Sequence, residues 1–218
     1  MASIYRFPGV DGPVDGEDMQ RKAAPMPPAP DAAPDAAPGD VPATVLQAVE
    51  SVRAMPRIES VSYREIAVPA TLCAYGIGVS LECAAPQGAT PPRSGWIMAL
   101  YDERRHVGDR HTAVRSPWRF VAFLSVPLTG PSHALTADMA WDAALEALHP
   151  LAAPGSVDGT VTVTHNARYE GGATAAAHTD YGCEIRVSWT PATMDAQDPD
   201  AGAHIAAWAR FASACTVE

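Results

Sequence analysis

The residues able to bind a ligand or polarise a substrate fall in three places. His106, His111, His165, His178 and Asp180 are the only concentration of potential metal ligands. A catalytic zinc site needs about three protein ligands converging roughly 2 Å from one ion, carried by rigid elements. Here His106-x4-His111 and His178-x-Asp180 fall in stretches rich in Gly, Ala and Thr that read as loops. Solvated loop histidines are the expectation, and no metal ligand is assigned. Arg104, Arg105, Arg110, Arg115 and Arg119 could hold a phosphate group through bidentate guanidinium contacts. Asp102, Glu103 and Asp109 dilute that charge, however, and no aromatic side chain interleaves with Arg104 to Arg115 as single-strand binding favours. A solvated hairpin loop accounts for them.

The third place is Trp189, His204 and Trp208. Trp189 closes a predicted strand, while His204 and Trp208 stand one turn apart on a predicted helix, so the three can line one pocket or interface. Arg186, on the same strand as Trp189, is taken with them as a binding candidate. The plainer reading is a Trp-rich core in which His204 bonds a loop carbonyl, since Trp is highly buried on average. Nucleophile elbows, phosphate-binding loops and dinucleotide fingerprints are missing from the sequence, and Gly171-Gly172 lacks the helix and Lys of a phosphate cradle. No catalytic residue and no cofactor is expected.

These positions must be held by a short series of elements. Val45, Leu46, Val49 and Val52 mark one face of a helix that starts after Pro42 and stops at Pro56. Four strands follow: 62–68, then Ile77, Val79, Leu81 and Cys83 alternating with Gly78, Ser80 and Glu82, then 95–101 and 118–126. The last two are apolar on both faces, which predicts central strands with a covered middle. A helix over 136–148 carries Trp141, Leu145 and Leu148 on one stripe. Two strands come next, the β-branched run 160–164 and the alternation Ile185, Val187, Trp189. Asp200 caps a last helix with Ile205, Trp208, Ala209, Ala212 and Cys215 on its apolar side.

The order is therefore α-β-β-β-β-α-β-β-α. The links between successive strands are too short for helical crossovers, so the expected fold is α+β, a mostly antiparallel sheet of about six strands with three helices mainly on one face. That arrangement resembles the small α+β fold of type III secretion chaperones, a likeness of element order only.

Residues 1–43 hold nine of the 21 prolines and the near-repeat Ala29-Pro30-Asp31-Ala32-Ala33-Pro34-Asp35-Ala36-Ala37-Pro38. Ordering some 40 residues costs roughly 40 to 80 kcal/mol of backbone entropy. The few large apolar side chains there contribute about 1.5 to 3 kcal/mol each. A disordered tail over 1–43 is expected, with a short docking motif at Ile4 to Phe7 as an alternative use, and one domain over 44–218.

A formal net charge of −10 opposes non-specific binding to nucleic acid or to an anionic membrane surface. Cys73, Cys83, Cys183 and Cys215 are widely spaced, without a Cys-x-x-Cys pair, and read as buried reduced thiols. No window approaches the roughly 18 apolar residues of a membrane span, and the N-terminus has no secretory core, so a cytoplasmic location is expected.

Several stretches, in order, resemble the domain of unknown function 3000 family of GC-rich Gram-positive bacteria. They are Glu65-Ile66-Ala67-Val68-Pro69 leading to Ala74-Tyr75, Gly78-Val79-Ser80-Leu81-Glu82, Trp118-Arg119-Phe120-Val121, and Trp141 with Glu146-Ala147-Leu148. The ending is the most specific: Glu184-Ile185-Arg186-Val187-Ser188-Trp189-Thr190-Pro191, then Gly202-Ala203-His204 and Ala207-Trp208. The resemblance covers roughly residues 44–215 and implies no activity, cofactor or catalytic residue. Members of that family are often encoded near a ribonuclease D-like exonuclease. The loop Glu103–Pro117 and the segment 164–181 depart from the family pattern, so a site on either would be peculiar to this chain.

Three functions follow as expectations. The first is a non-catalytic cytoplasmic interaction or adaptor protein that binds a protein partner, or forms a homodimer, through its sheet face or edge. The second is a small-molecule-binding or enzymatic domain with a pocket near Trp189 and His204. The third, resting on gene neighbourhood alone, is an accessory factor in RNA metabolism.

Overall fold

A computed structural model describes residues 41–84, 92–103, 116–128, 137–172, 174–192 and 200–215. The tail expected to be disordered and the Ile4–Phe7 motif lie outside these residues, as do His106, His111, Arg104, Arg105, Arg110 and Arg115. The elements are α1 (Ala43–Ala54), β1 (Val61–Ile66), β2 (Tyr75–Cys83), β3 (Arg93–Tyr101), β4 (Trp118–Leu128), α2 (Ala137–Leu148), β5 (Asp158–Arg168), β6 (His178–Trp189) and α3 (Ala201–Ala214). The predicted order holds.

The strands form one antiparallel sheet in the order β1-β2-β3-β4-β6-β5. Each of the first three connections is a hairpin, as the short links require. The stretch through α2 then carries the chain to the outer edge, and β6 returns between β4 and β5. The last hairpin is longer than the sequence predicts. At both ends of the stretch 165–180, expected to be loop, the ladder continues as His165↔Tyr181, Asn166↔Asp180, Ala167↔Thr179 and Arg168↔His178. β4 stops at Leu128↔Tyr181, so the far end of this hairpin projects beyond its neighbour. Polar, nearly featureless residues conceal such an arm from periodicity, because neither of its faces is buried.

Alternate residues of every central strand meet the helices. Val79, Leu81, Ile97, Ala99, Phe120, Ala122, Leu124, Ile185, Val187 and Trp189 are buried on that side, packed with Val45, Ala48, Val52, Ala140, Ala144, Leu148, Ile205 and Trp208. Burial of a Leu, Ile or Phe contributes about 1.5 to 3 kcal/mol, so this layer supplies the main driving force of folding. On α1 the stripe is Val45, Ala48 and Val52, and Leu46, expected on it, is 41% exposed. Asp200 caps α3 as predicted, its carboxylate accepting from the backbone N–H of Ala203 at 2.9 Å.

α1 and α3 touch backbone to backbone where Gly202 meets Ser51. A Cβ at position 202 would lie 2.3 Å from the Ser51 carbonyl oxygen, a distance only glycine avoids. The Ser51 hydroxyl completes the contact by accepting from Gly202 N–H at 3.1 Å.

Candidate functional site

Trp189, His204 and Trp208 come together, but inside the core. Trp189 and Trp208 are fully buried and His204 is 4% exposed. β6 delivers Trp189 beside Phe120 of β4, its cross-strand partner, with the rings stacked at 5.3 Å and 12°. His204, in the first turns of α3, lies on the other ring, 4.1 Å from the Phe120 centroid. The Trp189 indole N–H donates to His204 Nδ1 at 3.1 Å, which leaves the neutral imidazole with its proton on Nε2. Burial pushes His204 down from 6.5 to about 4, an effect larger than the opposing attraction of Asp200. Its partner is thus the indole rather than the loop carbonyl the sequence suggests. Trp208 packs at a tilt against Trp189 and Phe211, with interplanar angles of 38° and 39°. A histidine that is neutral, enclosed and already accepting a hydrogen bond on Nδ1 is suited to holding α3 against the sheet, and poorly suited to taking a substrate proton.

Arg186 is not part of this cluster. Strand alternation puts it on the opposite face of the sheet, where its guanidinium lies 5.2 Å from the Phe123 ring centroid and pairs with Glu184 at 2.6 Å. Phe123 in turn stacks on Trp96 of β3 at 6.0 Å and 26°. Register makes one row of Arg64, Ser80, Trp96, Phe123, Arg186 and Thr160, crossing all six strands. The adjacent row includes Met98 and Val121, and the row on the other side Glu82 and Glu184.

Among the described residues no helix covers this face. Trp96, Met98, Val121 and Phe123 are half-buried by one another and by their strand neighbours. The sequence showed their apolar character, and apolar faces on both sides of β3 and β4 predicted a covered middle. β3 and β4 are the middle strands of the sheet, as expected, and the helices lie on one face, also as expected, so the apolar residues on the other side of the middle have no helix over them among the described residues. At the end near β2 the face is closed by the link 67–74, where Val68 occupies the space a Cβ on Gly76 would need.

The remaining candidates separate. His178 Nε2 and Asp180 Oδ1 meet at 2.7 Å on one face of the projecting hairpin, while His165 stacks on Tyr181 at 4.5 Å on the other. No group of three or more His, Cys, Asp or Glu side chains able to hold a metal ion occurs among the described residues. Gly171 and Gly172 have φ of 59° and 75°, the left-handed conformations of a turn.

Arg119 is the one member of the arginine stretch within the described residues, and it serves the fold. It donates to Thr190 Oγ1 at 3.1 Å, Ser188 Oγ at 2.7 Å and the Ser156 carbonyl at 3.4 Å, with Asp158 at 3.7 Å. All four cysteines are thiols outside any disulfide; Cys73, Cys83 and Cys183 are buried as expected, whereas Cys215, expected to be buried, is only half-buried at the end of α3. Burial raises the thiols of Cys83, Cys183 and Cys215, Cys183 to about 11, which keeps them protonated and unreactive at neutral pH.

No curated protein and no solved structure matches the chain. One family model does, over residues 41–216, a span that takes in every described element from α1 to α3. The chain therefore belongs to the family described as "Protein of unknown function (DUF3000)".

Proposed function

We propose that this protein is a non-catalytic interaction module that holds an apolar segment of another protein on the uncovered face of its sheet. The observation that carries the reading is the row Arg64, Ser80, Trp96, Phe123, Arg186, Thr160 with Met98 and Val121 beside it, apolar in the middle and with an arginine on either side of that middle, Arg186 being paired with Glu184. The solvent side of an antiparallel sheet is ordinarily polar, and a contiguous apolar patch there is the usual mark of a binding surface. The charge pattern suits a partner whose aliphatic or aromatic side chains lie on Trp96 and Phe123 and whose carboxylates reach the two arginines. The net charge of −10 supports a protein partner over a nucleic acid.

The burial of Trp189, His204 and Trp208 does not favour the small-molecule reading, since a ligand pocket needs exposed polar groups converging on a cavity. A cytoplasmic location accompanies the proposal, supported by four cysteines that form no disulfide and by the lack, among the described residues, of any helix long and apolar enough to cross a membrane.

The test is capture from the native cell with full-length protein and with a Trp96→Thr/Phe123→Thr variant that retains the wild-type circular dichroism. The expected result is a specific partner bound by the first and lost by the second, cross-linking through position 98 or 121. A partner held equally by both, or none held by either, overturns the proposal.

A further inference from the structure

The two edges of the sheet are unlike. β1 is six residues long and carries Arg64 and Glu65, features that discourage pairing with another strand. β5 is eleven residues long, paired with β6 along its whole length, and its other side is open among the described residues. At roughly 3.4 Å per residue it offers about 37 Å of unpaired ladder. Between its two ends there is no Pro, no Lys and no carboxylate, and residues 160–164 form an uninterrupted β-branched run. Val163, at its centre, is 46% exposed. None of the common devices that blunt an edge strand is present on β5 among the described residues.

The strand is also complementary to itself. Asp158 begins it and Arg168 ends it, with Val163 midway. Set antiparallel to a second copy about a twofold axis at Val163, it pairs Val163 with Val163, Thr162 with Thr164, Val161 with His165, Thr160 with Asn166, Gly159 with Ala167 and Asp158 with Arg168. In an antiparallel ladder alternate residues point their N–H and C=O outward, so only registers that pair odd with odd and even with even positions can form bonds. This register meets that condition. Moving the axis to Thr164 sets Asp158 against Glu170, and moving it to Thr162 leaves Arg168 opposite Ser156. The central register alone joins opposite charges at both ends, with both members on the same face of the sheet, where directly opposed side chains lie about 5 Å apart. Asp158 and Arg168 are 64% and 75% exposed, engaged only at the surface with Arg119 at 3.7 Å and Glu170 at 3.2 Å.

We infer that the protein forms a symmetric dimer by antiparallel pairing of β5 with β5 of a second copy, so that two six-stranded sheets become one. The inference is independent of what the uncovered face binds. Pairing of this kind keeps like faces on the same side of the joint sheet, so the dimer presents two Trp96–Phe123 surfaces side by side and binds a two-site partner with gained avidity.

Sedimentation equilibrium on the full chain tests it, because the charges can be exchanged. Wild type is expected to sediment as a dimer, twice 22.9 kDa. Asp158→Arg alone opposes two arginines, Arg168→Asp alone opposes two aspartates, and each is expected to weaken the dimer by at least about tenfold. The double variant Asp158→Arg/Arg168→Asp restores the complementary pairs and returns the constant to within about threefold of wild type. This recovery also excludes misfolding of the single variants as the cause. Val163→Lys gives a monomer that still captures a partner through Trp96 and Phe123, separating this inference from the proposed function. A wild type monomeric at 200 µM, a dimer insensitive to the single variants and to Val163→Lys, or a double variant as weak as the singles overturns the inference.

Discussion

The indole N–H of Trp189 and Nδ1 of His204 are 3.1 Å apart in the interior, a hydrogen bond that exists only while the imidazole is neutral. Protonation would turn the acceptor into a donor facing a donor. The folded-state pKa of about 4 lies below the unfolded value of 6.5, so between these values the unfolded chain binds more protons. Stability from this group is therefore full above pH 6.5 and lost as pH falls toward 4, on the order of 3 kcal/mol in all. His204→Gln keeps an acceptor for the indole without a titrating ring. Urea unfolding at pH 7, 6, 5 and 4 should show wild type losing more stability than the variant across this window. Parallel decline of the two would dissociate acid sensitivity from His204.

The contact of Gly202 with Ser51 separates sterics from hydrogen bonding. Gly202→Ala drives a methyl group against the Ser51 carbonyl and forces α1 from α3, with an expected cost of about 2 to 4 kcal/mol. Ser51→Ala removes only the hydroxyl that accepts from Gly202 N–H, with an expected cost of about 1 kcal/mol. Denaturant midpoints should rank wild type, Ser51→Ala and Gly202→Ala in that order, and a Gly202→Ala protein as stable as wild type would refute the close approach.

Element order and antiparallel pairing were legible because each buried strand and helix repeats its apolar residues at its own period. The cap at Asp200 was legible because one carboxylate has one task. The far half of the β5–β6 hairpin was not, since exposed strands have no buried face to mark them and residues 165–180 resemble a loop in composition. Trp189, His204 and Trp208 are legible as one cluster from their spacing, but Phe120, whose ring stacks on both Trp189 and His204, is not. It is joined to them only through the pairing of β4 with β6, across a gap of 69 positions that sequence periodicity does not span. The uncovered face shows the reverse limit. Its residues were read as apolar, but which side of a doubly apolar strand the helices take is decided by chain connectivity rather than by the strand.

Arg119 holds the start of β5 to the sheet. Its fork reaches Ser188, Thr190 and Ser156, while Ser156 Oγ itself donates to the Thr190 carbonyl at 3.0 Å and accepts from Thr190 N–H at 3.2 Å. A lysine supplies the charge but not the planar set of donors. Arg119→Lys is expected to cost about 1 to 3 kcal/mol and to speed amide exchange at Ser156 and Thr190 more than in β2 or β3. Uniform acceleration across the sheet would mean that the arginine supports global stability and does not anchor this corner.

The uncovered face can be separated from the fold by choosing side chains whose removal exposes nothing. Arg186 lies over Phe123 in an exposed contact, and such a cation–π pair contributes about 0.5 to 1 kcal/mol. Its pairing with Glu184 is also at the surface and adds little. Arg186→Ala should therefore unfold within about 1 kcal/mol of wild type. Trp96→Thr and Phe123→Thr put β-branched side chains, suited to a strand, in place of the rings, and because both rings are only half-buried their cost should be below the roughly 3 to 5 kcal/mol of a core aromatic deletion. Trp189→Thr, in the enclosed layer, should fall in that larger range. If the face is a binding surface, the order inverts for partner capture: the Trp96, Phe123 and Arg186 variants lose it while folded. Should Trp96→Thr and Phe123→Thr destabilise as severely as Trp189→Thr, these rings belong to a second core, and loss of capture would then report unfolding instead of recognition.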